Sequence, residues 1–252
     1  MVRVRGLFNM ACFVASVAMF APTTLGEDLK DGKQILEKSR EALMKVKVAS
    51  YEARYLGTGA AKDWVPQVDG RVIVGSTAEF DVPRFFCDVS IRKTGSEESK
   101  KYTAGCDGNE YYLLDAAAKK AHYDIDPVVL GSDSRNIQRV LVREFGGKNP
   151  LDAELKSETI ELKGTASVEG EDCYEVYVAI KNSSQKATVW HIGKKDFLPR
   201  KLQRVYPPRD GATEDGITEL VIHKLVLDPK TDKDPFKLVV PEGYQATDEF
   251  AP

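Results

Sequence analysis

Three histidines, His122, His191 and His223, are the side chains best suited to move a proton near neutral pH. To do chemistry they need partners at working spacing, such as HExxH or HxH for a metal, or the GxSxG elbow for a nucleophilic serine. None of these patterns occurs in the chain. Each histidine falls in a separate strand-like segment and reads as a sheet-surface residue. Acidic clusters offer no better site. "SEES" (96–99) and "EGED" (169–172) fall at turns, where hydration accounts for them. Asp124 and Asp126 of "DID" cannot supply the roughly six or more oxygens that calcium takes. "GTG" (57–59) and "FGGK" (145–148) lack the strand-to-helix frame of a phosphate loop. The expectation is no catalytic residue, no metal and no cofactor, with an enzymatic hydrolase as the remote rival.

Cysteines are the other reactive group. Cys87 and Cys106 flank "DVSIRKTGSEESKKYTAG", two strand-like runs around a polar turn. A hairpin symmetric about residues 96 and 97 sets the two cysteines opposite each other, within reach of a disulfide. Cys173 is then a buried, unpaired thiol. No CxxC is present, so disulfide exchange has no support.

A disulfide presupposes export, and the first residues supply the reason to expect it. "MVRVRG" carries two arginines, "LFNMACFVASVAMFA" is an uncharged apolar run, and "PTTLG" precedes the charged "EDLKDGK". This is the pattern of a cleaved secretory signal, expected over 1–26, and it places the protein in the periplasm or outside the cell. The apolar run is shorter than the roughly 20 residues of a membrane span, which disfavours an anchor. Cys12 lies inside that run, badly placed for lipid acylation. Residues 27–252 remain as one domain, large enough to bury a core. Loss of two arginines shifts the net charge from −3 to about −5, so no electrostatic pull on nucleic acid is expected. The triplet "NSS" (182–184) fits a glycosylation acceptor.

The elements follow from periodicity. "DGKQILEKSREALMKVKVAS" sets Ile35, Leu36, Ala42, Leu43 and Val46 at helical spacing. "SYEARYLG", "GRVIVG", "PRFFCDVSIRK" and "CDGNEYYLLDAAAKKAHYDID" then alternate as strands of an antiparallel meander. "SDSRNIQRVLVREFGG" predicts a second helix, capped by Ser132 or Ser134, with Ile137, Val140, Leu141 and Phe145 on its apolar face and Gly146-Gly147 as a stop. "NPLDAELK" suggests a third short one. Strands resume from residue 158. Within them "VWHIGKKDFLPRKLQRV" (189–205) reads as a hairpin whose lysines, Lys194 and Lys195, stay hydrated at the tip. The fold class is α+β.

Aromatic residues crowd these strands, and alternation brings Tyr51, Tyr55, Phe85, Tyr112, Val176, Val178 and Trp190 forward as the lining of an apolar space between sheet and helices.

The leading helix "ILEKSREALMKVKVASYEARY", "DGNEYYLLDAAAKKAHYD", "GEDCYEVYVAI", "VWHIGKKDFLPRKLQRV" and the closing "FKLVVPEGYQ" together resemble the outer-membrane lipoprotein-sorting superfamily, LolA- and LolB-like, with the RseB N-domain type. That resemblance implies a strongly curved antiparallel β-sheet, a half-barrel, with helices covering its concave face. It further implies a non-enzymatic protein that shields an acyl chain, lipoprotein lipid or similar apolar ligand. In the carriers an arginine precedes the proline at the start of a strand. Here "DVPRFF" has Val82 before Pro83 and Arg84 after it, so handover by that closing mechanism is not implied. The partners expected are an apolar ligand or lipoprotein acyl chain and, in the alternative, an envelope protein bound by a sensor or interaction module. The chain is expected to be a monomer.

Overall fold

The computed structural model describes residues 29–76, 83–126, 134–181, 184–208, 211–230 and 233–247. The expected signal segment, Val82, Ser132 and Asn182 lie outside the described residues. The chain opens on helix α1 (Gly32–Leu43) and continues into β1 (Val48–Gly59), β2 (Gln67–Gly75), β3 (Arg84–Arg92), β4 (Ser99–Cys106), β5 (Tyr111–Asp115) and β6 (Lys120–Asp124). A covering segment follows, in which the short helices α2 (Ser134–Gln138) and α3 (Asp152–Leu155) flank a 3-10 turn (Arg143–Phe145). The second meander is β7 (Ile160–Val168), β8 (Glu171–Ala179), β9 (Ala187–Gly193), β10 (Pro199–Tyr206) and β11 (Gly216–Leu227). β12 (Gln245–Thr247) is the last element described.

The twelve strands among the described residues form one sheet, running β12, β6, β5, β4, β3, β2, β1, β11, β10, β9, β8, β7. Consecutive strands joined by short turns pair antiparallel, as the spacing requires. β12 breaks the pattern by lying parallel on β6, after the chain has returned across the sheet from β11. The sheet is therefore mixed and open, with β12 and β7 at its edges, and the expected strongly curved antiparallel half-barrel does not form. Its helical lid is absent too: among the described residues one helix has 12 residues and the others 5 and 4. Among the described residues the helical part is reduced to a thin cover over one face of the sheet.

One face of the sheet is apolar. On β1, Ala49, Tyr51, Ala53 and Tyr55 are buried while Glu52 and Arg54 between them are exposed, the signature of a strand covered on one side. Cross-strand pairing carries that face through Val72, Val74, Phe85 and Cys87 on one side of β1, and through Leu220, Leu202, Trp190 and Val176 on the other. α1 covers β7 and β8 with Ile35, Leu36 and Leu43, each fully buried side chain worth about 1.5–3 kcal/mol. Its start is set by Asp31, whose carboxylate accepts the Lys33 N–H at 2.8 Å. The outer face is polar and carries ion pairs such as Arg54–Asp69 at 2.8 Å and Lys201–Glu219 at 3.0 Å.

The second helix stops far short of the expected 134–145, and Tyr51 is the reason. Its hydroxyl donates to the Val140 carbonyl at 3.0 Å and accepts the Val142 N–H at 2.9 Å. Those backbone groups are thereby taken out of any helical ladder, and the β-branched Val140 and Val142 give little up in leaving it. Phe145 still reaches the core and packs on Tyr51, ring centroids 5.8 Å apart.

The expected disulfide is also absent. Cys87 lies opposite Ala104, and Cys106 opposite Phe85, because the β3–β4 turn is centred one residue earlier than symmetry about 96 and 97 demands. The two thiols share a face diagonally, and Cys87, Cys106 and Cys173 are all free and buried. By contrast the 189–205 segment folds as read, with β9 and β10 joined through residues 194–198. Not all of its cations are hydrated, however. Arg200 is 7% exposed, held by Glu171 at 2.8 Å and Asp196 at 2.6 Å.

Candidate functional site

The histidines do not converge. His122 is buried on β6 on the covered face, whereas His191 and His223 face outward. His191 bonds to Gln203 at 3.2 Å, and burial lowers its pKa. His223 pairs with Glu169 at 3.1 Å, and Glu171 is spent on Arg200, so "EGED" has structural uses. Among the described residues no group of three or more metal-ligating side chains comes together.

The seven proposed lining residues divide by face. Tyr51, Tyr55, Phe85, Val176, Val178 and Trp190 share the covered face and belong to one packed cluster. Tyr112 is buried on the opposite face, because β5 pairs Tyr111 with Cys106 and Tyr112 with Gly105. Its ring lies over Gly105, where a Cβ would stand 2.3 Å from the phenol oxygen. Of the seven, Tyr55 borders a solvent-open hollow.

That hollow is a cleft of about 410 Å3 at the margin of the covering segment. α2 supplies Arg135 and Gln138, the turn after it Arg139 and Leu141, and the 3-10 turn Arg143 and Glu144. The sheet supplies Tyr55 from β1 and Arg204 and Tyr206 from β10, with Gln185 just before β9. Arg139 donates to the Tyr55 hydroxyl at 2.8 Å and lies over that ring at 5.4 Å, which fixes its plane. Arg143 donates to the Gln138 amide oxygen at 2.6 Å. Among the described residues, none of the four arginines has a carboxylate within ion-pair distance, although Arg54, Arg84 and Arg200 each do.

Two carboxyls that interact with these arginines are kept weak. Burial pushes the Glu144 carboxyl up to about 7, with Glu154 adding repulsion and Arg204 and Arg143 opposing it. Burial likewise raises Glu154, against the pull of Arg204 and of the Trp190 indole. That indole N–H has no acceptor at hydrogen-bonding geometry, so its effect on Glu154 is electrostatic. Four permanent cations thus face two carboxyls that resist ionising. The net field favours a visiting anion, and planar guanidinium forks suit carboxylate or phosphate oxygens.

Sequence reasoning passed over this cleft. Its signal was the four-residue spacing of Arg135, Arg139 and Arg143 opposite the apolar positions of "SRNIQRVLVREF". Arg204 and Tyr55 join them through pairing distant in sequence, with β1 and β10 as the two neighbours of β11.

No family model and no curated protein matches the chain. Solved structures do. LprF from Mycobacterium bovis is similar over 83% of this chain and 100% of its own, at 11% identity and a TM-score of 0.51. An uncharacterized conserved protein from Thermus thermophilus aligns over 85% of this chain and 97% of its own, at 13% identity and a TM-score of 0.45. The Pseudomonas aeruginosa MucA/MucB complex aligns over 82% of this chain and 61% of that one, at 11% identity and a TM-score of 0.44. The LprF match establishes a shared fold. The other two score too low to add to it.

Proposed function

We propose that the protein is an exported, non-enzymatic binding protein whose ligand carries an anionic group beside an apolar portion and seats in the Tyr55–Arg139–Arg204 cleft. One observation carries this reading: four arginines with no ion-pair partner among the described residues converge on a hollow of about 410 Å3. An arginine cluster whose neighbouring carboxyls, Glu144 and Glu154, are held back from ionising is costly in self-repulsion and is relieved by a bound anion. Tyr206, with the edges of the buried Tyr55 and Leu141, gives the same cleft an apolar flank. An acyl tail lies along that flank and over the border of the covering segment. Each methylene it buries contributes about 0.8 kcal/mol.

Fluorescence titration with a labelled fatty acid and with its neutral alcohol analogue tests this. The acid is expected to bind about tenfold or more tightly than the alcohol. Arg139→Gln and Arg204→Gln should each remove most of that preference. If neither amphiphile binds, and native mass spectrometry of the purified protein finds no companion, the reading is wrong.

A further inference from the structure

On the outer face the chain grips part of itself. After β11 it crosses back over β1 to β6, seven strand spacings or roughly 34 Å at the usual separation, before β12 pairs with β6. The crossing begins at Asp228, whose carboxylate accepts the N–H groups of Lys47 and Val48 at 3.1 and 2.9 Å. Most of the described strap is solvent-facing, and Val239 is 74% exposed. Phe236 is the exception at 2%.

Phe236 sits in a socket made by three residues that cross-strand pairing puts on that face. Gly75 leaves room for the ring, since a Cβ there would lie 2.6 Å from it. The Arg84 guanidinium covers the ring at 4.4 Å and forms an ion pair with Asp234. The Tyr112 hydroxyl donates to the Phe236 carbonyl at 3.1 Å. Asp234 also accepts the Phe236 N–H at 3.1 Å, so that Asp234-Pro235-Phe236 forms a compact turn presenting an acid and an aromatic ring together.

We propose that this socket of Gly75, Arg84 and Tyr112 is a docking site for an extended segment of a partner protein bearing an aspartate two residues before a phenylalanine. At rest the chain's own Asp234-Pro235-Phe236 fills it. The fit in cis is incomplete: Arg84 uses Nη2 on Asp234, while its Nε is buried with no hydrogen-bond partner. A guanidinium offers both nitrogens as a fork to one carboxylate. A segment free of the tether from Asp228 can engage both prongs and continue along the β6 edge, where among the described residues the self-pairing runs over Gln245 to Thr247. The tethered copy holds the site through these contacts together with an effective concentration on the order of mM. This inference stands apart from the arginine cleft on the covered face.

The test uses the full chain and a fluorescent peptide of residues 229–247, with binding read as anisotropy. Phe236→Ala empties the socket and is expected to bind the peptide about tenfold or more tightly than the wild type does. A peptide with Asp234→Asn should lose most of that gain, and adding Arg84→Gln to the protein should abolish it. Should Phe236→Ala unfold, Asp234→Asn in the protein loosens the tether while keeping the ring, and the same gain is expected. A folded Phe236→Ala chain that ignores the peptide, or binds it equally without its aspartate, overturns the proposal. A wild-type dimer that the peptide dissociates would overturn the assignment of the partner to another protein and put a second copy's segment in the socket.

Discussion

The Tyr51 hydroxyl on β1 accepts the Val142 N–H at 2.9 Å, and through this bond a strand side chain decides where a helix ends. The same oxygen donates to Val140 at 3.0 Å, so one phenol completes two buried backbone groups of the covering segment. Burial raises the Tyr51 pKa well above its usual value, which keeps the phenol protonated and able to do both. Tyr51→Phe strands both groups. A loss of about 1–3 kcal/mol in stability is expected in chemical denaturation, with the covering segment's amides exchanging faster than those of β1. An unchanged midpoint would mean that Val140 and Val142 find other partners.

The raised carboxyl of Glu144 sets a pH dependence of fixed sign. A carboxyl whose folded pKa lies above its unfolded one is favoured by folding while protonated. Its contribution is full below the unfolded value near 4.5 and is lost as pH rises through about 7. Glu144→Gln should therefore stabilise the protein at pH 8 by about 1–2 kcal/mol relative to wild type, allowing for partial solvent screening, and should do little at pH 4. Thermal melts across that range measure it. A variant that destabilises equally at both ends would place the cause in packing.

The same titration reaches the cleft. Protonating Glu144 removes a negative charge beside Arg143 and Arg204. Binding of an anionic amphiphile should strengthen between pH 8 and pH 6 and weaken as salt rises, whereas binding of a neutral analogue should do neither. Isothermal titration at the two pH values separates these outcomes.

The free thiols are inert by burial. Burial pushes the Cys173 thiol up to about 11 and raises Cys87 and Cys106 as well. An alkylating reagent at pH 8 should leave all three unmodified in the native protein and label them after denaturation. Reductant should not shift the melting temperature. A shift of several degrees would instead demand a Cys87–Cys106 bond and a different β3–β4 register.

In the β9–β10 hairpin the cations are unequal. Arg200→Gln leaves Glu171 and Asp196 without their shared partner and should cost about 1–3 kcal/mol. Lys195→Ala at the exposed tip should change stability by less than about 0.5 kcal/mol. Equal effects in urea denaturation would contradict the burial of Arg200.

Much of this was legible in the residues alone. Alternation at 49, 51, 53 and 55 marks β1 and its buried face, and the spacing of Ile35, Leu36 and Leu43 marks α1. The glycine-lysine turn before Pro199 marks the β9–β10 hairpin. These are local signals, because a strand's period and a turn's chemistry act within a few residues. The sequence by itself also determined that no catalytic or metal motif is written along the chain. Tertiary structure alone decided the rest. A one-residue shift in the β3–β4 turn parted Cys87 from Cys106, and the loop between β4 and β5 sent Tyr112 to the outer face. The Tyr51 phenol, from a distant strand, cut a periodic helix short. Arg204 met Arg139 because β10 and β1 flank β11, and Phe236 met Arg84 because the chain crossed back over the sheet. Each of these depends on register and on contacts between residues far apart in the chain, where a single shifted pairing redirects every side chain that follows.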